Sequence, residues 1–319
     1  MTGAAPPIRL HACTIDVEDY YHVTAFDGVV SRSSWGSMPD RVTANTERVL
    51  ALLADAGVRA TFFILGRVAE RAPRLVRAIR GAGHDLGCHS DDHRLVYQMS
   101  PAEFRADLRT AKQRIEDAAG CRVTAYRAPT FSITAESLWA LETVAAEGFT
   151  HDSSIYPVLH DRYGMPSAPV APYVVMTRSG PLTEFPPTSF RLLGRQWPGC
   201  GGGYFRLSPY WLSAWMIRQS AAQGRPASLY LHPWELDPNQ PRVPGIGWRT
   251  RFRHYVGLRK TAPRFVRLLK EFPFGTLLEA LAPLPSLPEY RVIGSELEPV
   301  ASVRRRMDTP GVPVPAGVP

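Results

Sequence analysis

Apolar runs alternate with helix-period segments along the first 150 residues, and this alternation most restricts what the chain can fold into. Leu10 to Val17 reads as a strand ending in acids. Thr43 to Ala56 carries Val49, Leu52 and Leu53 at helical spacing and stops at Gly57. A β-rich run, Arg59 to Leu65, precedes a helical segment from Val68 to Ile79 that is closed by Gly81 and Gly83. His84 to Cys88 reads as a strand, and Pro101 to Ala119 as a helix started by Ser100-Pro101 and stopped by Gly120. Arg122 to Tyr126 is a further strand and Ala135 to Ala146 a further helix. Such a βα repeat implies parallel strands, in a barrel or an open α/β sheet.

After Asp152 the regularity fades. Residues 156–203 are rich in Pro and Gly and read as loops with short strands. Order returns with a helix from Pro209 to Gln223, a buried strand from Ala227 to Leu231 and a helix from Ala262 to Glu271; Thr276 to Leu281 fits a last strand or a helical turn. No period of internal repetition is visible. One catalytic domain is expected over 1–282, loop-rich from about 156, followed by a Pro-rich, disordered tail over 283–319.

The chain has 319 residues and a formal charge of +8. Only Lys112, Lys260 and Lys270 are lysines; the arginines look scattered, and the one tight basic run is Arg304-Arg305-Arg306. This pattern, without a nucleic-acid-binding motif, argues against a nucleic-acid partner. Cys13, Cys88, Cys121 and Cys200 form no Cys-x-x-Cys pair, and Cys13 and Cys88 sit in apolar runs as buried thiols. Met1 to Ala12 has no basic start followed by a long apolar core, and no run reaches the ~18 apolar residues of a membrane span. A cytoplasmic location is the expectation.

Polar groups gather where apolar runs end: Asp16 and Glu18, His89 and His93, Arg127, Asp152, and His232. In parallel α/β folds the C-terminal strand ends form the active face. Two imidazoles and one carboxylate make an open site for a divalent metal, which points to metal-assisted hydrolysis. Zinc comes first, and cobalt, nickel and manganese fit the same donors.

These segments resemble the five ordered motifs of the NodB-type polysaccharide deacetylases, a carbohydrate esterase family. Thr14-Ile15-Asp16-Val17-Glu18-Asp19 is similar to the first motif, and His89-Ser90-Asp91-Asp92-His93 matches the His-Ser/Thr-x-x-His motif in full. Arg127-Ala128-Pro129, Asp152-Ser153-Ser154 and Leu229-Tyr230-Leu231-His232 resemble the third, fourth and fifth. Ile15 to Val23, His160-Asp161-Arg162-Tyr163-Gly164, Gly203-Tyr204-Phe205-Arg206 and His232-Pro233-Trp234-Glu235 resemble the branch associated with exosortase and exopolysaccharide gene clusters. The resemblance spans roughly residues 10–280 and implies an α/β fold, a distorted (β/α) barrel of about seven strands.

Three departures stand out. Val17 interrupts the usual pair of adjacent aspartates, Ser132 replaces a glycine of the third motif, and the tryptophan of the fourth is missing. Because strand side chains alternate, Asp16 and Glu18 share a face. Asp16 is therefore assigned as base and Glu18 as metal ligand with His89 and His93, with Asp19 as the alternative ligand. The resemblance further implies His232 as the acid, Arg127 aiming Asp16, Asp152 beside His232, and a backbone N–H near Thr130 as oxyanion donor. Tyr204 and Trp234 are sugar-stacking surfaces or core residues.

The implied reaction removes N-acetyl groups from amino sugars of a bacterial exopolysaccharide or its precursor. Association with membrane-bound exopolysaccharide machinery would bring enzyme and polymer together. Two rival readings share the fold: an allantoinase-like hydrolase of a small cyclic amide, and an inactive glycan-binding module.

Overall fold

A computed structural model describes residues 10–160 and 162–301. β1 (His11–Val17), β2 (Thr61–Ile64), β3 (Asp85–Cys88), β4 (Ala125–Tyr126) and β5 (His151–Asp152) lie side by side in chain order, all parallel. β6 (Tyr173–Thr177) and β7 (Gly180–Glu184) form a hairpin whose second strand extends the parallel run beside β5. β8 (Ser189–Leu192) and β9 (Arg195–Pro198) make a separate hairpin. β10 (Ser228–Leu231) adds in parallel to the other side of β1, and the two-residue β11 (Phe274–Gly275) also pairs with β1. The parallel order β10-β1-β2-β3-β4-β5-β7 supplies the expected seven strands.

The ring is distorted where β7 should meet β10. There Thr188 reaches across in place of a strand: its hydroxyl donates to the Ser228 carbonyl at 3.0 Å and accepts from the Ser228 N–H at 2.7 Å. Gly201 adds one parallel bridge to Tyr230, and a Cβ at Gly201 would lie 2.1 Å from the Tyr230 ring.

Strand alternation divides the core. Cys13, Ile15, Val17, Phe62 and Ile64 face outward into the main cluster under the helices. Ala12, Phe63 and Ala125 face inward, where Leu277 and Ala280 plug the base. The burial of Cys13 and Cys88 agrees with their apolar settings.

The helices are α1 (Val42–Ala56), α2 (Gly66–Arg71), α3 (Pro73–Gly81), α4 (Pro101–Ala119), α5 (Ala140–Ala146), α6 (Gly202–Leu207), α7 (Tyr210–Ala222), α8 (Trp248–Tyr255), α9 (Leu258–Glu271) and α10 (Leu277–Leu281). α4 has the expected bounds because its ends are chemically marked. Ser100 and Glu103 form a reciprocal capping box, Pro101 occupies the first turn, and Gly120 takes a left-handed cap at φ 66°. The segment expected as one helix over Val68–Ile79 is two, because Ala72 precedes a proline and leaves helical geometry (φ −129°, ψ 58°). None of the helices among the described residues is long and apolar enough to cross a membrane.

The expected disorder from residue 283 needs correction. β12 (Glu289–Ile293) pairs in parallel with β6, and β13 (Glu296–Pro299) returns antiparallel to it. Tyr290 packs edge-on against Tyr173 with ring centroids 5.2 Å apart. The alternation of Tyr290 and Val292 was masked by flanking Pro283, Pro285 and Pro288. Residues 302–319 of the expected tail, and Asp161, lie outside the described residues. Tyr290→Ala is expected to lower unfolding free energy by about 2 kcal/mol, given partial burial. Urea denaturation measures this, and an unchanged midpoint would mean the hairpin adds nothing to the barrel.

Candidate active site

The inward face of β1 carries Ala12, Thr14 and Asp16 and leads to Glu18 just past its end. Arg127, fully buried after β4, stands over Phe63, its guanidinium carbon 4.3 Å from the ring centroid. It donates to Thr14 Oγ1 and to Asp16 Oδ1, each at 2.8 Å, and to the carbonyl and hydroxyl of Ser153. Asp16 Oδ1 is thereby committed, and Oδ2 faces His232 Nε2 at 3.8 Å.

Glu18, His89 and His93 converge with one ligating atom each, all within 4.8 Å of one another. Glu18 Oε2 approaches His93 Nε2 to 2.8 Å, yet it is buried and lacks a hydrogen-bond partner. An orphaned carboxylate oxygen beside two imidazoles fits a divalent cation. His89 Nδ1 lies 2.8 Å from the Arg127 carbonyl; donating there leaves the Nε2 lone pair for a ligand, the usual orientation of a metal-binding histidine. Burial would raise the Glu18 carboxyl, but His93, His232 and then His89 outweigh it and hold it well below the usual range.

Asp19, the alternative ligand, is used elsewhere. Its Oδ2 accepts from the backbone of Arg41 and Val42, and its Oδ1 from Tyr20. It caps the start of α1 from a distance. His22 also serves structure, accepting from the Asp19 N–H through Nδ1.

Local backbone strain is concentrated here. Among the described residues five non-glycines have positive φ, and four of them, Ser90, His93, Thr130 and Phe131, lie in the two loops that line the site. α4 secures the first loop: Asp107 accepts from Ser90 Oγ and from the Asp91 N–H, while Arg114 holds Asp91. Thr130 lies on the cavity wall, its hydroxyl 2.8 Å from that of Thr24.

His232 is in place, but its expected partner is not. The carboxylates near it are Glu18 (3.6 Å), Asp16 (3.8 Å) and Glu235, whose Oε2 is 3.2 Å from Nδ1. Glu235 also accepts from the His232 N–H, and Arg206 Nε donates to its Oε1 at 2.7 Å. Burial lowers the His232 pKa, but Glu18, Glu235 and Asp16 overcome this and raise it to about 9. Burial likewise raises Glu235, and Arg206 with His232 reverses that to about 2.

Asp152 instead faces Glu184, its register partner on β7. Asp152 Oδ1 accepts from Ser154 Oγ, which in turn accepts from the Ala128 N–H at 2.8 Å. Asp152 therefore supports the Arg127 loop. The expected placement beside His232 fails because Glu235, three residues along the same turn, takes that position.

Trp234 is also corrected as a sugar-stacking surface. It is buried, stacked on His254 (4.5 Å, 12°) and His232 (5.3 Å, 22°), with the Arg206 guanidinium 5.2 Å from its ring. Its indole N–H donates to Glu18 Oε1 at 3.2 Å, so it orients the carboxylate. Tyr204, on α6, lines the larger of two adjoining cavities. The smaller, of about 170 Å³, contains Asp16, Glu18, His89, His93 and His232. The larger, of about 610 Å³, shares His160, Arg162, Tyr163 and Tyr230 with it.

Sequence reasoning assigns no role to Arg206, Glu184 or the Trp234 contact; it offers Glu235 as support for His232 from behind without fixing its direction, and the His-x-x-Glu capping pattern at 232–235 supplies that direction.

Residues 29–148 match the family model described as polysaccharide deacetylase, and residues 153–282 match a domain of unknown function, DUF3473. A peptidoglycan-N-acetylglucosamine deacetylase of Bacillus cereus is 27% identical over 130 residues, 37% of this chain and 47% of that protein. A chitooligosaccharide deacetylase of Bradyrhizobium is 33% identical over 73 residues, 23% of this chain and 33% of that protein. The chain thus spans less than half the length of these relatives. A putative polysaccharide deacetylase from Mycobacterium smegmatis shares the fold, with TM-score 0.50 and 20% identity over 84% of this chain and 93% of that one.

Asp152 and Glu184 yield a pH prediction. Their second oxygens, Asp152 Oδ2 and Glu184 Oε2, are both buried without a hydrogen-bond donor, which favours the protonated acid. Burial raises Asp152 to about 6; burial and then the Asp152 charge raise Glu184 well above its ordinary value. Acids with raised folded pKa values stabilise the fold below the unfolded pKa, and that contribution is lost as pH rises through the folded values. The urea midpoint should fall as pH rises from about 4 through about 6, and Glu184→Gln should flatten the fall. An equally steep decline in the variant would assign the effect elsewhere.

Proposed function

We propose that this chain, whose residues 29–148 match the polysaccharide deacetylase family model, is a metal-dependent hydrolase of N-acetyl groups on amino sugars of a bacterial polysaccharide or its precursor. The observation that carries this reading is the convergence of Glu18, His89 and His93 in one cavity with Asp16 and His232. When bound, a divalent ion supplies Lewis acidity at the acetyl carbonyl and for a water. Zinc suits two imidazoles and a carboxylate, and cobalt, nickel and manganese accept the same donors.

The remaining steps belong to the chain's own groups. Asp16, fixed by Arg127 through Oδ1, takes the proton of the attacking water on Oδ2. As the water oxygen bonds to the carbonyl carbon, charge grows on the carbonyl oxygen; the Thr130 N–H on the cavity wall is the candidate donor to it. His232, held by Glu235, gives its proton to the departing nitrogen. The C–N bond breaks, leaving acetate and a free amine. The continuation of the reaction cavity into the larger one supports an extended glycan over a small cyclic amide. The full set of reactive groups speaks against an inactive module.

His93→Ala should abolish bound metal and acetate release from an acetylated chitooligosaccharide while circular dichroism stays unchanged. Asp16→Asn should keep the metal and lose turnover by about 10³-fold. Metal analysis beside an acetate assay separates the two, and activity that survives chelation would remove the metal from the reaction.

Glu235→Gln should move the alkaline limb of kcat/KM to lower pH, because it takes a negative charge from beside His232. Asp152→Asn should leave that limb in place. The reverse pattern would return Asp152 to the acid's support.

A further inference from the structure

Charge is strongly segregated along this chain. Residues 185–270 contain fourteen Arg or Lys and two carboxylates, Glu235 and Asp237, in a protein whose net charge is only +8. Both carboxylates are buried and already paired, with Arg206 and Arg41. The next one, Glu271, pairs with Arg218 and Arg267. The excess comes from the scarcity of carboxylates in this segment, since the arginines themselves run through the whole chain.

The same half exposes large apolar side chains. At the tip of the β8–β9 hairpin Leu193 is 91% exposed, beside exposed Leu192 and Trp197. The tip is a two-residue loop with Leu193 at φ 50° and Gly194 at φ 78°. Such a loop favours Asn-Gly; a leucine there is unfavourable for the turn and buries nothing. Arg191 and Arg195 flank it, both exposed. The hairpin packs beside α7 through Phe190 and Trp215, ring centroids 6.0 Å apart. One turn earlier on α7, Trp211 is 65% exposed. On α8, Trp248 and Phe252 are exposed among Arg249, Arg251 and Arg253.

The α6 and α8 part of this segment borders the route to the reaction site. Arg253 and exposed Leu207 and Leu159 line the larger cavity. Arg206 ties α6 to the end of α8 through the carbonyls of Arg253, His254 and Val256.

We propose that the 185–270 half is a membrane-docking surface that seats on an acidic phospholipid bilayer, with the leucine-tipped hairpin and the tryptophans of α7 and α8 entering the interface and the surrounding arginines meeting lipid phosphates. Exposed Trp, Leu and Phe with flanking Arg are the composition of interfacial binding segments, and anionic headgroups complement the excess charge. A soluble polyanion would satisfy the arginines but leave the apolar tips without a partner. Docking in this way turns the mouth of the larger cavity toward a membrane-held substrate, and it stands independently of the reaction proposed above.

The test is sedimentation of the full chain with phosphatidylcholine vesicles, with and without phosphatidylglycerol, at about 0.1 M salt. Binding is expected to the acidic vesicles only, with tryptophan emission quenched by brominated acyl chains. Leu193→Glu combined with Trp211→Glu should lower the bound fraction about tenfold at an unchanged thermal midpoint. Failure to bind acidic vesicles would overturn the proposal. So would binding without quenching that the double variant leaves intact, or binding only to a soluble uronate polymer.

Discussion

One buried cation organises the interior of this barrel. Arg127 has no access to water, so each of its N–H groups needs a partner inside the protein, and an unpaired guanidinium there would be very costly. The partners come from different elements: Thr14 and Asp16 on β1, and both the carbonyl and hydroxyl of Ser153 after β5. Satisfying Arg127 therefore fixes β1 against the β5 end. Its aromatic floor is Phe63 on β2, above the plug formed by α10. The Arg127 carbonyl in turn receives His89, so the same residue orients both a metal ligand and the base.

The site has two origins. β1 and the loop after β3 carry Asp16, Glu18, His89 and His93. The turn after β10 carries His232, Trp234 and Glu235. They meet at Glu18, one of whose oxygens takes the Trp234 indole N–H while the other faces His93. A change that shifts the turn after β10 thus reaches the cation site through one hydrogen bond, without touching either histidine ligand.

The βα alternation was legible because hydrophobic period, caps and glycine stops agreed in the first 150 residues, most fully at α4. It failed where tertiary pairing outweighed local signals. β12 lies among prolines and is held as strand by its pairing with β6 and β13. Site residues at strand ends were readable, since strand alternation puts Asp16 and Glu18 on one face. Their partners were not. Whether Asp152 or Glu235 reaches His232 depends on how a turn is oriented after β10, and whether Trp234 stacks on sugar or on His254 depends on what covers it. Both are facts about packing between distant segments. The segmental charge excess was countable in the sequence, but only exposure of the apolar residues beside it gave that excess a direction.

The support of His232 has a further consequence for how the two halves work together. A carboxylate from β5 would have tied the acid to the barrel wall. Glu235 belongs to the same turn as His232, so acid and support form one unit bound through the backbone N–H and the side chain at once. That unit is anchored by Arg206 on α6, and Arg206 also holds the carbonyls that end α8. The geometry of the proton donor is thereby set by helices outside the parallel barrel. Asp152, released from that task, pairs with Glu184 and braces the loop that carries Arg127 through Ser154. The two carboxylates thus serve opposite sides of the cavity: one steadies the residue that aims the base, the other the residue that delivers the proton.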